Sequence, residues 1–267
     1  MIHQERDLSL EIAPVIKQAG AIILSYFNTQ LTRTEKVDHN IDHGFVTQAD
    51  LASEKYIIER LMSIIPGAGF FAEESGKQES NQSDYCWVID PLDGTTNFAH
   101  GLPYFCVSIA LTYKEKPVFG MIYQPITDEL FWATEGKGAY LNGKTIQVSM
   151  APLEKSLIAV GLPYAKDQAC AHLINSTWPI AQAAYTVRTF GAVALDIAYV
   201  AAGKIEGALF EELGWWDVAA GMVLVQEAGG KSTDFNNKHV GPDYLSFIAT
   251  GNPEVHQKLL ILLKYKV

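Results

Sequence analysis

The chain has 267 residues, 48% hydrophobic and 19% charged, a balance that builds a large core and excludes a disordered chain. Its formal net charge is −10, from 20 basic against 30 acidic residues, which excludes sequence-blind binding to a nucleic-acid polymer. The three cysteines, Cys86, Cys106 and Cys170, are too few and too widely spaced for a disulfide framework or a zinc site.

The opening segment Met1–Asp7 lacks the basic-then-apolar pattern of a secretory signal, and no apolar run of about 18 residues stands out. A cytoplasmic protein without a membrane partner is the expectation. The first helix is predicted over residues 7–28, with Leu8, Ile12, Val15, Ile16, Ala19, Ile23 and Phe27 on one stripe and Pro14 marking a start or a bend. The polar, aperiodic stretch Thr34 to Gly44 reads as a loop. A second helix follows, with Thr47 as N-cap, Asp50 in the first turn and Pro66-Gly67 as its stop. An acid at Asp50 also complements the helix dipole, worth a few tenths to about 1 kcal/mol.

From Cys86 to Val148 the pattern is strand-like: residues 105–111, Val118 to Tyr123 and Glu129 to Ala133 are separated by turn residues. Asn142-Gly143 is a hairpin signal between Tyr140-Leu141 and 145–148. An antiparallel meander is predicted. The second half alternates: strands near 157–160, 207–210 and 246–250, with helices near 168–183, 191–202 and 217–228. The last helix opens with Asn252 as N-cap and Pro253 at its first position. Two subdomains are expected, packed as one body: an α+β part over 1–150 carrying most of the acids, and an α/β part over 151–267 supplying Asp217.

The chemistry concentrates in Asp90-Pro91-Leu92-Asp93-Gly94-Thr95-Thr96-Asn97-Phe98, directly after the apolar run Trp87-Val88-Ile89. Two carboxylates leaving a buried strand are costly unless a cation or hydrogen bonds hold them. A hard divalent cation such as Mg2+ prefers such oxygen ligands and shares them with a substrate phosphate. Pro91 keeps Asp90 extended and Gly94 permits a sharp turn, so Asp90, the Leu92 carbonyl and Asp93 can converge. Glu73-Glu74 and Asp217 could complete the site. Taken alone, the glutamate pair reads as a solvated loop, Asp217 as a helix N-cap, and Trp215 and Trp216 as core anchors.

Together these segments resemble the signatures of the inositol monophosphatase family: Glu73-Glu74-Ser75, the 90–98 segment, and Trp216-Asp217-Val218-Ala219-Ala220-Gly221 with Glu227-Ala228-Gly229-Gly230. Val46-Thr47-Gln48-Ala49-Asp50 is similar to the family's upstream element. The likeness runs from about residue 10 to the C-terminus. It implies a layered αβαβα sugar-phosphatase fold, a homodimer, lithium sensitivity, and Mg2+-dependent hydrolysis of phosphate monoesters with two to three ions. Glu73, Asp90 and the Leu92 carbonyl would hold one ion, and Asp90, Asp93 and Asp217 a second. A third, weaker ion would sit near Glu73, with Asp50 in reach through water. Thr95 could orient the attacking water while Asp50 or Glu73 draws off its proton; the sequence leaves that choice open. The amides of Gly94, Thr95 and Thr96 would face the phosphate if they open a helix.

Thr95-Thr96-Asn97-Phe98 resembles the inositol monophosphatase branch, so inositol monophosphate or a similar small polyol phosphate is the expected substrate. The nucleotide 3′-phosphatase branch usually has lysine where Thr96 stands, and fructose-bisphosphatases carry Phe or Ser variants near that point. Both remain alternatives, with a non-catalytic binding protein on the same scaffold as a third. One departure stands out: the family's substrate-binding glutamate is expected about seven residues before Asp217, where this chain has Phe210. Either Glu211 takes that role across a shorter loop, or the hydroxyls are read differently.

Overall fold

The run Tyr85–Asp93 is buried along all of its length but Cys86, and it forms an inner strand of an eight-stranded sheet. The computed structural model describes residues 2–38, 41–80, 82–163, 168–243 and 246–264, excluding the side chains of 36–38, 41–43 and 169. Across the sheet the order is Lys144–Thr145, Ala139–Leu141, Glu129–Thr134, Lys116–Gln124, Cys106–Tyr113, Tyr85–Asp93, Gly69–Ala72 and Gly76–Gln78. Neighbours run antiparallel, except that Gly69–Ala72 lies parallel to Tyr85–Asp93. The predicted meander is therefore present.

Strand alternation decides what covers each face. Trp87, Ile89, Val107, Ile109, Leu111, Phe119 and Met121 point into one core, closed by the helices Leu8–Tyr26 and Gln48–Ile64. Val88, Cys106, Ala110 and Ile122 point into the other, against the helices Val193–Ala201 and Trp215–Glu227. Those two helices also pack on Ala159, Ala208, Phe210, Phe247 and Ala249 of a second sheet. That sheet has five strands, in the order Thr186–Arg188, Leu157–Gly161, Gly207–Glu211, Ser246–Thr250 and Lys231–Thr233. The first three are parallel and the last two antiparallel to their neighbours. Its far face is closed by the helices Gln168–Ala183 and Pro253–Leu262 through Leu173, Ile180, Leu259 and Leu260. The result is five layers, alternately helix and sheet.

The helix Trp215–Glu227 sits very close to the large sheet. A Cβ on Gly120 would lie 2.4 Å from the Ala220 carbonyl oxygen, so only glycine admits the helix at that depth. Ala219, Ala220 and Gly221 supply the matching small surface.

Local signals placed many boundaries. Leu8–Tyr26 starts at an Asp7 cap and runs through Pro14 without ending. Gln48–Ile64 begins at Thr47, and Pro253–Leu262 begins after Asn252, whose side chain accepts from the Glu254 N–H at 2.8 Å. Three expectations are corrected. Thr34 to Gly44 is largely a two-stranded antiparallel ribbon, Arg33–Asp38 with Ile41–Thr47, rather than a loop. Arg33, Thr34 and Glu35 are exposed, so no buried alternation over these residues announces the ribbon, in which the Arg33 guanidinium lies over the Phe45 ring at 4.9 Å. The strand after Asn142-Gly143 stops at Thr145, because the Val148 N–H leaves the sheet to donate to the Ala228 carbonyl at 3.1 Å. Finally, Leu8–Tyr26 is long and apolar enough to cross a membrane, contrary to the expected absence of such a run. In the fold its apolar stripe (Leu8, Ile12, Val15, Ile16, Ala19 and Ile23) is buried in the core.

Candidate active site

Residues three apart on a regular strand point to opposite faces. Asp90 and Asp93 escape that rule because the pairing slips between them: Asp90 lies opposite Ser108, and Asp93 opposite Cys106. Pro91 and Leu92 thus face the single residue Val107 on the partner strand, and such a bulge re-aims side chains. Asp90 Oδ1 accepts from the Leu92 N–H at 3.0 Å. Gly94 then turns the chain at φ 87°, a left-handed conformation, and starts the short helix Thr95–Ala99. Asn97 ties this turn to the second half, donating to the carbonyls of Tyr104 at 2.9 Å and Phe190 at 2.7 Å.

Asp217 arrives from the other half. It occupies the third position of Trp215–Glu227, where its Oδ2 accepts from the Gly214 N–H at 2.7 Å. Gly214, not Asp217, is therefore the N-cap. One carboxylate oxygen from each of Asp90, Asp93 and Asp217 lies within 4.8 Å of the others. The Glu73 carboxyl is hydrogen-bonded to Asp90, and the Glu73 N–H donates to the Ile89 carbonyl at 3.1 Å.

Gathering acids in a buried place makes their ionisation unfavourable. Asp90 is pushed well above the ordinary carboxylate range, mainly by burial and then by the charges of Glu73, Asp93 and Asp217. Asp93 is raised to about 6 by burial, although four hydrogen bonds oppose the shift. Three of these come from the amides of Val193 at 2.9 Å, Ala194 at 2.8 Å and Leu195 at 3.3 Å, and the fourth from the Cys106 thiol at 3.4 Å. The helix Val193–Ala201 thus points its N-terminal, positive end at Asp93.

Asp50 forms a capping box with Thr47: its Oδ2 accepts from the Thr47 N–H at 2.9 Å and the Thr47 hydroxyl at 2.5 Å. Its other oxygen lies 3.1 Å from Thr95 Oγ1, which is also 2.9 Å from the Leu92 carbonyl. The single Thr95 proton serves one of these acceptors at a time. Burial, with the Glu73 charge adding, raises Asp50 to about 6. Helix capping and the site therefore both claim this one side chain.

The structure thus brings Asp90, Asp93 and Asp217 together, with Glu73 beside Asp90, and with Asp50, Leu92, Gly94, Thr95 and Thr96 alongside in sequence or by contact. Glu211 is placed differently. Leu209, two residues before it, points into the core under the Gln168–Ala183 helix, and Glu211 follows on that side, meeting the His172 ring at 3.2 Å. Phe210 points the other way, into the core shared with Trp215 and Val218. Trp215 is a core residue as expected, and Trp216 packs edge-on against Phe71 at 5.4 Å. The backbone donors at 193–195 were not readable beforehand, because Val193 meets an acid 100 residues away.

An all-oxygen donor set, with Asp90 and Asp93 buried and Asp217 half-buried, in which the neighbouring charges push Asp90 up, suits a hard divalent cation that would relieve that repulsion. The fold itself is that of the inositol monophosphatases. It superposes on the extragenic suppressor protein suhB of Bartonella henselae with a TM-score of 0.91, at 36% identity over 98% of this chain and 100% of that one. The IMPase of Thermotoga maritima follows with a TM-score of 0.85, at 28% identity over 96% of both chains.

The chain belongs to the inositol monophosphatase family, whose model matches residues 5–264. It is 39% identical to the inositol-1-monophosphatase of Caulobacter vibrioides, over 82% of this chain and 87% of that protein. It is equally 39% identical to the protein named Nus factor SuhB of Escherichia coli K12, over 91% of each. This membership supports phosphatase chemistry on phosphate monoesters, in a family that is generally metal-dependent.

Proposed function

We propose that this protein is a Mg2+-dependent hydrolase of small polyol monophosphates, with inositol monophosphate as the foremost substrate. The carrying observation is the convergence of Asp90, Asp93 and Asp217, from both halves of the chain, with Glu73 against Asp90. Glu73, Asp90 and the Leu92 carbonyl would hold one ion, and Asp90, Asp93 and Asp217 a second. When bound, Mg2+ supplies charge stabilisation to the phosphoryl oxygens and a more acidic water. The chain's own groups do the rest. Gly94, Thr95 and Thr96 present backbone amides to the phosphate. The Thr95 hydroxyl orients the attacking water, and Asp50, bonded to that hydroxyl and raised to about 6, accepts the proton at its Oδ1. Glu211 would have to give up His172 to reach a substrate, so it is left out of the proposed substrate set.

The inositol-1-monophosphatases among the relatives support inositol monophosphate over fructose bisphosphate or a nucleotide 3′-phosphate. A homodimer in the cytoplasm belongs to the same reading, and light scattering tests the dimer. A second reading, a binding protein on this scaffold, draws on the relatives named Nus factor. Phosphate release from inositol 1-phosphate, fructose 1,6-bisphosphate and a 3′-phosphonucleotide, with and without Mg2+, separates these readings. Release fastest from inositol 1-phosphate and only with Mg2+ is expected. No metal-dependent release from any of the three would refute the enzyme reading.

A further inference from the structure

One face of the helix Gln48–Ile64 touches every segment that brings an acid from the first half. Asp50 meets Thr95, as described. Ser53 Oγ donates to the Pro91 carbonyl at 3.0 Å, between Asp90 and Leu92. Glu54 Oε2 accepts from the Glu74 N–H at 2.9 Å. Asp50, Ser53 and Glu54 are all buried, and the side chains four and three apart share one face.

Glu54 is the informative member. It is only 4% exposed, and a carboxylate is among the groups least often buried without a reason. An apolar residue would fill the space at lower cost if packing were the only requirement. What Glu54 holds is the peptide plane between Glu73 and Glu74. The N-terminal side of Glu73 is already fixed, because its own N–H is bonded to the Ile89 carbonyl next to Asp90. With the Glu74 N–H also fixed, φ and ψ of Glu73 are both constrained, and so is the direction in which its carboxyl leaves the backbone.

We propose that Glu54 is a positioning residue for the metal site: it fixes the Glu73–Glu74 peptide so that the Glu73 carboxyl stays against Asp90. This deepens the metal-dependent reading and rests on Glu73 being a ligand there. Nothing in the local sequence marks Glu54 for this role; its partner is 20 residues away in the chain and is a backbone amide.

The test compares Glu54→Gln, which keeps an acceptor, with Glu54→Met, which fills similar space without one. Binding of Mn2+ is measured by calorimetry on each full-length protein, alongside the Mg2+ concentration that gives half-maximal phosphate release. The Met variant should bind Mn2+ about ten-fold more weakly, with kcat at saturating Mg2+ within about three-fold of wild type, and the Gln variant should restore affinity to within about two-fold. Wild-type affinity in the Met variant, or equal weakening in both, overturns the proposal. Should the Met variant not fold, hydrogen exchange at the Glu74 amide of the wild type decides: protection supports the bond, and exchange at the unprotected rate overturns it. If the wild type itself binds no Mn2+, the metal reading fails rather than the role of Glu54.

Discussion

The substitution Asp50→Asn should make the protein more stable and less active. Asp50 is fully buried, and its folded pKa moves from an ordinary 3.8 to about 6. A carboxyl whose folded pKa is raised destabilises the fold above that pKa, and the penalty fades as pH falls toward the unfolded value. At about 1.4 kcal/mol per pH unit, the charged form costs about 3 kcal/mol at pH 8. An amide imitates the neutral acid and can be satisfied in place. Its oxygen can accept from the Thr47 N–H, and its NH2 can donate to Thr95 Oγ1 while Thr95 donates to the Leu92 carbonyl.

Urea unfolding in excess chelator is the assay, run on both proteins at pH 8, 6 and 4. The variant should be more stable by about 2–3 kcal/mol at pH 8, with the gap shrinking by pH 6 and nearly closed at pH 4. Its phosphate release with Mg2+ should fall by about 100-fold or more if Asp50 takes the proton. A stability gap that is absent at pH 8, or that does not change with pH, would refute the reasoning that burial of this charge stores the penalty. Gains in stability on removing a site residue are the usual sign of a function–stability conflict.

Other outcomes follow from the same geometry. His256 is buried between the hydroxyls of Thr233 and Thr250, and its pKa is lowered to about 4 by burial. A lowered histidine pKa favours the fold above the unfolded value of 6.5, and that contribution is lost as pH falls toward 4. Urea midpoints should show about 3 kcal/mol of acid-side loss from this residue, reduced in a His256→Gln variant; identical pH profiles would contradict the assignment. Gly120→Ala would force a Cβ to within 2.4 Å of the Ala220 carbonyl oxygen, so a loss of about 1–3 kcal/mol is expected by thermal unfolding. Mg2+ should raise Tm in wild type, equivalent to about 2.7 kcal/mol at one hundred times Kd, and Asp90→Asn should abolish most of that rise. A Tm that does not respond to Mg2+ in wild type would count against the metal site.

The proposed metal site was only partly written in local sequence. Asp90, Pro91, Asp93 and Gly94 announce a strand ending in an acid-bearing turn, and helix starts at Thr47 and Asn252 are set by capping side chains within three residues. Such signals are short-ranged and survive without the rest of the fold. The ribbon of Arg33–Asp38 with Ile41–Thr47 was hard to read because Arg33, Thr34 and Glu35 are exposed and the pairing is made by the backbone across the two strands. The side taken by Glu211 followed from strand alternation, which counting back from Asp217 could not supply.

What the sequence by itself determined is the identity of the acids and the elements that carry them. Only the tertiary structure decided that Asp217 meets Asp90 and Asp93, that the helix at 193–201 points its positive end at Asp93, and that Glu54 holds the Glu73–Glu74 peptide. The physical reason is range. Capping and turn preferences act over three or four residues, whereas these meetings join segments 20 to more than 100 positions apart. They exist because a bulge re-aims Asp93 and because Gly120 lets the helix bearing Asp217 come down onto the sheet.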